Sequence, residues 1–267
     1  MKRSEVGEII KPHGINTQRS FTENEFQKCS NCTTETCLIK KHCSSKWKLF
    51  LDENKYSSYY KKDNLIFAEG SMISGIFFVY QGKLKLFSEK IYGRQHLINL
   101  AMAGELLEPQ GYDEKKYHVG CVALEDTTLC FFEKEIFFRM LRKNPELSIS
   151  LFNEYAHELE KIKIRQKHFS HLSSAMRVAE MLLLLRNKCG VPLENGILID
   201  VNLTRPDIAD LVETTPEEAI RVLSRFKKDG IIDTAGKKII LLEEQILKEM
   251  IIASYYDEEQ YKELLSS

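Results

Sequence analysis

The stretch LTRPDIADLVETTPEEAIRVLSRFKKDGII, residues 203–232, decides how this chain folds at its C-terminal end. Thr204 stands three residues ahead of Asp207 with Pro206 between them, the pattern of a capping box that opens a helix over Asp207 to Val212. Thr215, Pro216 and Glu218 repeat the device: Thr215 caps, Pro216 takes the first helical position and Glu218 reaches back. The second helix carries Ala219, Ile220, Val222, Leu223 and Phe226 as its apolar residues and turns Glu217, Arg221, Ser224 and Arg225 to other faces. Gly230 ends it, and Ile231 to Leu241 reads as a hairpin with a polar turn. Two short helices joined by a tight turn and followed by a hairpin make a winged helix-turn-helix, whose second helix enters the major groove of double-stranded DNA.

Glu217 and Arg221 lie four apart on one face near the helix start. There an arginine suits a bidentate contact with guanine, and a glutamate accepts from cytosine N4. Arg205, Thr214 and Thr215 at the two helix starts, with Lys227 and Lys228 at the second helix end, complete the candidate DNA contacts. Each charged pair has a plainer alternative: a solvated ion pair for Glu217 and Arg221, and a complement to the helix dipole for Lys227 and Lys228.

Working outward, the 267 residues suffice for two domains. Lys and Arg number 38 against 39 Asp and Glu, so no broad basic field surrounds the molecule and any DNA contact must be local. No apolar run has signal-peptide length or approaches the ~20 residues of a membrane span, which predicts a cytoplasmic protein with no membrane association. In a reducing compartment the seven cysteines become candidates for metal ligands or buried thiols rather than disulfides. Cys29, Cys32, Cys37 and Cys43 are clustered, and four such thiolates complete either an iron–sulfur cluster or a zinc site.

Residues 1–24 are polar and aperiodic and read as a flexible arm. After the cysteines, Trp47, Phe50 and Leu51 lie at helical spacing behind Ser44 or Ser45 as N-cap. Short apolar runs between residues 55 and 132, separated by Gly70, Gly82, Gly93 and Gly104, predict a β-sandwich or roll. Residues 133–190 turn helical, and Phe152, Tyr155, Leu159, Ile162, Gln166 and Phe169 step by three and four, a seam suited to a parallel two-helix contact in a homodimer. The expected architecture is α+β: a cysteine cluster and roll over 25–142, a dimerisation helix over 143–170 and the winged helix over 171–267, with a terminal helix after the wing.

The string at 203–232, with GIFFVYQGKLKLF (75–87), Gly104-Glu105-Leu106 and ALEDTTLCFF (123–132), resembles the Crp/Fnr regulators over about residues 25–242. The resemblance implies a cyclic-nucleotide-binding-type roll, a long dimer helix, a winged helix, and RNA polymerase as a partner. In the Fnr branch the recognition helix reads Glu-x-x-Ser-Arg; the matching positions are Glu217, Ile220 and Arg221, with isoleucine in place of serine. The operator is therefore expected to differ from the Fnr half-site.

The cyclic-AMP branch holds the cyclic phosphate with an arginine and a hydroxyl, since a guanidinium supplies fixed donors to an anionic oxygen pair. Tyr117 and His118 occupy those positions, which argues against cyclic AMP; Arg94, Lys115 or Lys116 would have to substitute. Cys29, Cys32 and Cys37 resemble the N-terminal cluster ligands of Fnr, although the gap from Cys32 to Cys37 is one residue shorter than in Fnr. Fnr's fourth ligand follows an Ala-Leu-Glu strand, and here Ala123-Leu124-Glu125 leads to Cys130 at the matching distance. The resemblance thus implies a [4Fe-4S] cluster on Cys29, Cys32, Cys37 and Cys130 and a response to oxygen or redox state. The rival is a local zinc knot completed by Cys43, or no metal, in a regulator controlled by another small-molecule signal. Cys121 and Cys189 read as small core residues. Glu105 with Glu108, or His118 with Glu125, is accompanied by no nucleophile or phosphate-loop motif, so no enzyme is expected.

Overall fold

A computed structural model of the chain describes residues 20–21, 28–91, 94–107, 114–169 and 172–252. Strand β1 (Ser20–Phe21), a single 3-10 turn (Cys29–Asn31), helix α1 (Leu38–His42) and helix α2 (Ser45–Asn54) precede the roll. The roll comprises β2 (Lys55–Tyr60), β3 (Leu65–Phe67), β4 (Gly75–Gln81), β5 (Lys83–Ile91), β6 (Arg94–Met102), β7 (Leu106–Leu107), β8 (Gly120–Ala123) and β9 (Thr127–Glu133). These strands form two antiparallel sheets, ordered β1-β2-β9-β4-β7 and β3-β8-β5-β6. Gly82 makes the turn between β4 and β5 at φ +105°, and a Cβ there would stand 2.2 Å from Thr127 Oγ1, so the close approach of β9 needs glycine.

Side chains alternate across a strand, and β9 uses both of its faces. Leu129 and Phe131 point into the roll with Phe77 and Val79, while Cys130 and Phe132 point to the other side, where Phe78, Leu51 and Met140 meet them. That outer face is covered by the cysteine segment and by α3 (Lys134–Lys143). Cys130 is thereby turned away from the roll interior and toward the N-terminal segment.

The helical run 133–190 divides into three helices. After α3, Asn144 breaks the helix at φ −127°, and Pro145 opens α4 (Pro145–Phe169) at a position where its missing N–H costs nothing. Then comes α5 (Ser174–Cys189), capped by the Ser173 hydroxyl. Helix α4 carries an apolar stripe that its own chain leaves in water: Ile149, Phe152, Leu159 and Ile162 are 59%, 71%, 52% and 60% exposed. Tyr155 is half-buried and Gln166 exposed, and the Phe169 side chain lies outside the described residues.

The C-terminal domain contains α5, β10 (Gly190–Leu193), β11 (Gly196–Ile199), α6 (Arg205–Leu211), α7 (Pro216–Lys228), β12 (Ile232–Ala235), β13 (Lys238–Leu241) and α8 (Glu244–Ile252). The wing is a four-stranded sheet, β10-β11-β13-β12, not the two-stranded hairpin expected. Its extra hairpin turns at Glu194-Asn195, and Gly196, which pairs with Leu193, takes φ +130°. Leu97, Leu100 and Met102 of β6 belong to the same apolar core as α5, α6 and α7, so the roll and the winged helix share buried surface.

One further expectation needs correction, and one holds in position. Ser20 and Phe21 pair with Tyr59 and Ser58, so the N-terminal arm contributes an edge strand; its other residues through 19 lie outside the described ones. Ser44 occupies the N-cap of α2 without a capping hydrogen bond. Residues 253–267 of the expected terminal helix also lie outside the described residues, whereas α8 buries Leu247 and Ile251.

Candidate functional site

The winged helix builds its outward face from two capped helices. Thr204 Oγ1 accepts from the Asp207 N–H at 3.2 Å while Asp207 Oδ2 accepts from the Thr204 N–H at 2.9 Å, so the predicted capping box forms and α6 begins at Arg205. In α7 the Thr215 hydroxyl accepts from the Glu218 N–H at 3.3 Å. Glu218 does not reach back to Thr215; its carboxylate takes the Arg221 Nε and Nη2 protons, each at 2.8 Å. The predicted partner Glu217 is exposed and is not the group that holds Arg221. Buried Ala219, Val222, Leu223 and Phe226 fix the inner face of α7. Ile220, expected among them, is 45% exposed on the outer side.

Lys227 is committed to the wing, 2.8 Å from Asp233 and donating to the Thr234 hydroxyl at 2.9 Å. The Lys227 ammonium and the Thr234 N–H hold the Asp233 carboxyl below its ordinary range. Lys228, Arg225 and Ser224 are exposed, Thr215 is exposed, and Arg205 and Thr214 are half-buried. Sequence reasoning missed the positive φ of Glu213, +50°, that lets the chain turn between α6 and α7, because nothing but context forces a glutamate there.

Between the domains runs a line of ion pairs that sequence gave no means of finding. Arg94 of β6 donates to both Asp210 oxygens at 2.8 and 2.6 Å, His96 Nδ1 lies 3.0 Å from the same carboxylate, and the Leu97 N–H donates to it at 3.0 Å. Lys85 of β5 pairs with Asp207, and Lys83 reaches Asp200 at 2.9 Å. Burial by itself would raise the Asp207 and Asp210 carboxyls. Lys85 with Thr204, and Arg94 with the Leu97 N–H, instead hold them below the ordinary range. On α4, Arg165 Nε stands 3.3 Å from Glu180 of α5. Arg94 is therefore paired across the domain boundary.

Tyr117 is 3% exposed, stacks on Phe67 at 3.9 Å between ring centroids and donates its hydroxyl to Gly75 O at 3.2 Å. Glu105 lies 3.1 Å from Lys188 of α5 and accepts from the Met102 N–H at 3.3 Å, a structural part rather than a catalytic one. Lys115, Lys116 and His118 are exposed.

The cysteine segment lies on the outer face of β4 and β9. Cys29, Cys32, Cys37 and Cys130 line one pocket with Thr34, Ile39, Lys40, Lys55, Phe78, Val79, Tyr80 and Phe132. Cys43 is not on that lining; it is buried among apolar neighbours, which push its thiol up to about 11. Burial also raises Cys29 and Cys37 and takes Cys130 to about 11, with neighbouring thiols adding to Cys29, Cys37 and Cys130 and Lys55 opposing. Among the described residues no three His, Cys, Asp or Glu side chains already converge on one ion position. Three threonines pin the segment: Thr33 Oγ1 meets the Tyr80 hydroxyl at 3.3 Å, Thr34 donates to Tyr80 O at 3.2 Å and Thr36 to Ala103 O at 2.9 Å. Gly104, at φ +93°, makes room for the last, since a Cβ there would lie 1.9 Å from Thr36 Oγ1. Cys121 is fully buried in the roll core, and Cys189 is half-buried beside Lys83 and Asp200.

Comparison with known proteins agrees with both halves. Residues 58–144 match the cyclic nucleotide-binding domain and residues 176–250 the Crp-like helix-turn-helix domain. The chain is 23% identical over 221 residues to the transcriptional activator protein FnrL of Cereibacter sphaeroides, covering 81% of this chain and 88% of that one. It is 25% identical over 183 residues to the transcriptional activator protein anr of Pseudomonas aeruginosa, covering 68% and 75%. Among solved structures, FixK2 of Bradyrhizobium japonicum superposes with a TM-score of 0.64 at 19% identity, over 73% of this chain and 96% of that one. A CooA variant of Carboxydothermus hydrogenoformans gives 0.64 at 20%, over 82% and 97%. A roll joined by a long helix to a winged helix, matched in both domains, defines a DNA-binding transcription regulator. The chain carries a cyclic nucleotide-binding domain followed by a Crp-like helix-turn-helix domain and is similar to activators of the Fnr type. Among the described residues no helix is long and apolar enough to cross a membrane.

Proposed function

We propose that this regulator binds DNA as a homodimer and that its DNA binding responds to oxygen or redox state through a [4Fe-4S] cluster held by Cys29, Cys32, Cys37 and Cys130. The observation that carries it is the meeting of four thiols, three from the N-terminal segment and one from β9, on a single pocket that excludes Cys43. All-sulfur donors suit iron–sulfur clusters and zinc alike. The choice of the cluster over zinc rests on the resemblance of these four cysteines to the cluster ligands of Fnr. When bound, the cluster supplies an oxygen-labile centre whose assembly ties the N-terminal segment to the roll.

The protein's own part is to carry that tie to the DNA end. Helix α1, which follows Cys37, packs on α4, and α4 bears the exposed stripe Ile149, Phe152, Leu159 and Ile162 that a second copy would cover. Tyr155 and Gln166 continue that seam. Arg165 at its far end reaches Glu180 and the Leu211 carbonyl, next to the DNA-reading helices. Within α7, Glu217 and Arg221 face outward for base edges, with Arg205, Thr214, Thr215 and Lys228 placed for phosphates; Lys227 serves the wing first.

Protein purified and reconstituted under argon should be brown, with about four irons and four labile sulfides per chain, and should lose DNA affinity on exposure to air. A colourless product, or one equivalent of zinc that supports air-stable DNA binding, would overturn the cluster assignment.

A further inference from the structure

The outer face of α7 holds one residue that its surroundings do not account for. Helical geometry sets Ala219, Val222, Leu223 and Phe226 on the buried side and Glu217, Ile220, Arg221 and Ser224 on the side turned to water. Three of those four carry charge or a hydroxyl. Ile220 carries neither and is 45% exposed, a β-branched residue of weaker helix propensity that leaves much of its apolar surface in water. A lone exposed aliphatic is ordinary on a protein surface. This one sits in the N-terminal half of the second helix of a helix-turn-helix, one turn beyond Glu217 and next to Arg221.

A helix in that role presents this part of its surface to the floor of the major groove. The groove offers donors and acceptors and one apolar feature, the C5-methyl of thymine. Isoleucine has no polar atom beyond its backbone. Opposite any other base-edge group it would strip water and return nothing, whereas against a methyl it buries apolar surface on both sides.

We infer that Ile220 reads a thymine C5-methyl, fixing one A·T pair in each half-site beside the base pair met by Arg221. This rests on α7 being the DNA-reading helix. The ligand is duplex DNA, and the group recognised is a single methyl.

Half-sites are selected from a random duplex pool by the full chain under argon. Each thymine in the selected site is then replaced singly by deoxyuridine, which removes only the methyl. The wild type loses roughly fourfold in affinity at one position of the half-site, the worth of one buried methyl group. Ile220→Ser binds the thymine and uracil duplexes equally, and Ile220→Val keeps most of the difference. Uracil that costs the wild type nothing at every position, or costs Ile220→Ser as much as the wild type, overturns the assignment. If the wild type selects no sequence, or Arg221→Ala binds the selected duplex as tightly as the wild type, α7 does not read DNA and the assignment of Ile220 falls with it.

Discussion

The outward face of the winged helix comes from one unbroken run, residues 203–241, whereas the thiol pocket takes three cysteines from a loop and its fourth from a strand laid down after most of the roll. The first is held by neighbours in sequence: Thr204 with Asp207, Thr215 with Glu218, Arg221 with Glu218. The second exists only because β9 pairs with β4 and turns Cys130 and Phe132 to the outer face, and because three threonines hold the loop against that face. A locally capped motif keeps its shape wherever its domain goes. A pocket assembled from two distant segments reports whether those segments stay docked, which is what a sensor requires.

The roll that carries the pocket meets the winged helix elsewhere, at the carboxylates of Asp207 and Asp210, and the largest effect is expected there. Asp210→Asn removes the buried carboxylate that faces the half-exposed Arg94 and His96 and should destabilise the chain by roughly 2–3 kcal/mol in denaturant unfolding; a fully exposed pair would show under about 1. Because both carboxyls titrate below their ordinary range in the folded protein, their contribution is complete above the unfolded value near pH 4 and is lost as pH falls through the lower folded values. The wild type should therefore keep the interdomain docking at pH 5 and lose it in stronger acid, and the Asp210→Asn chain should show a flatter acid limb.

The next effect belongs to the DNA end alone. Arg221→Ala should weaken binding to a selected half-site by roughly 1–3 kcal/mol, relax the choice of base at one position and leave the iron content unchanged. A smaller one belongs to the pocket alone. Gly104→Ala forces a Cβ into Thr36 at a positive φ, and should cost about 1–2 kcal/mol and speed loss of the metal centre to a chelator, with unliganded winged-helix stability untouched. Equal chelator resistance in Gly104→Ala and wild type would mean that the threonine clasp does not hold the pocket.

The same contrast explains what the sequence disclosed. Thr204-Arg-Pro-Asp and Thr215-Pro-Glu-Glu write their caps within four residues, so both helices were legible, and Gly70, Gly82 and Gly104 marked real turns. The partner of Arg221 was misassigned because Glu217 and Glu218 both lie within reach of an arginine one turn on, and side-chain rotamers decide between them. Ile220 was placed in the buried row because hydrophobicity does not report which side of a helix is covered. The interdomain pairs Arg94–Asp210 and Lys85–Asp207 join residues more than a hundred positions apart and leave no local trace. Cys130 was reached through family resemblance; its side of β9 follows from the strand's alternation, once Leu129 is known to face the core.

Iron and labile sulfide counted under argon in two single variants put the pocket to the test. Cys43→Ala should match the wild type, and Cys130→Ala should lose the centre while keeping its fold by circular dichroism. A Cys130→Ala protein that still holds a full complement, with Cys43→Ala empty, would contradict the pocket as the sensor.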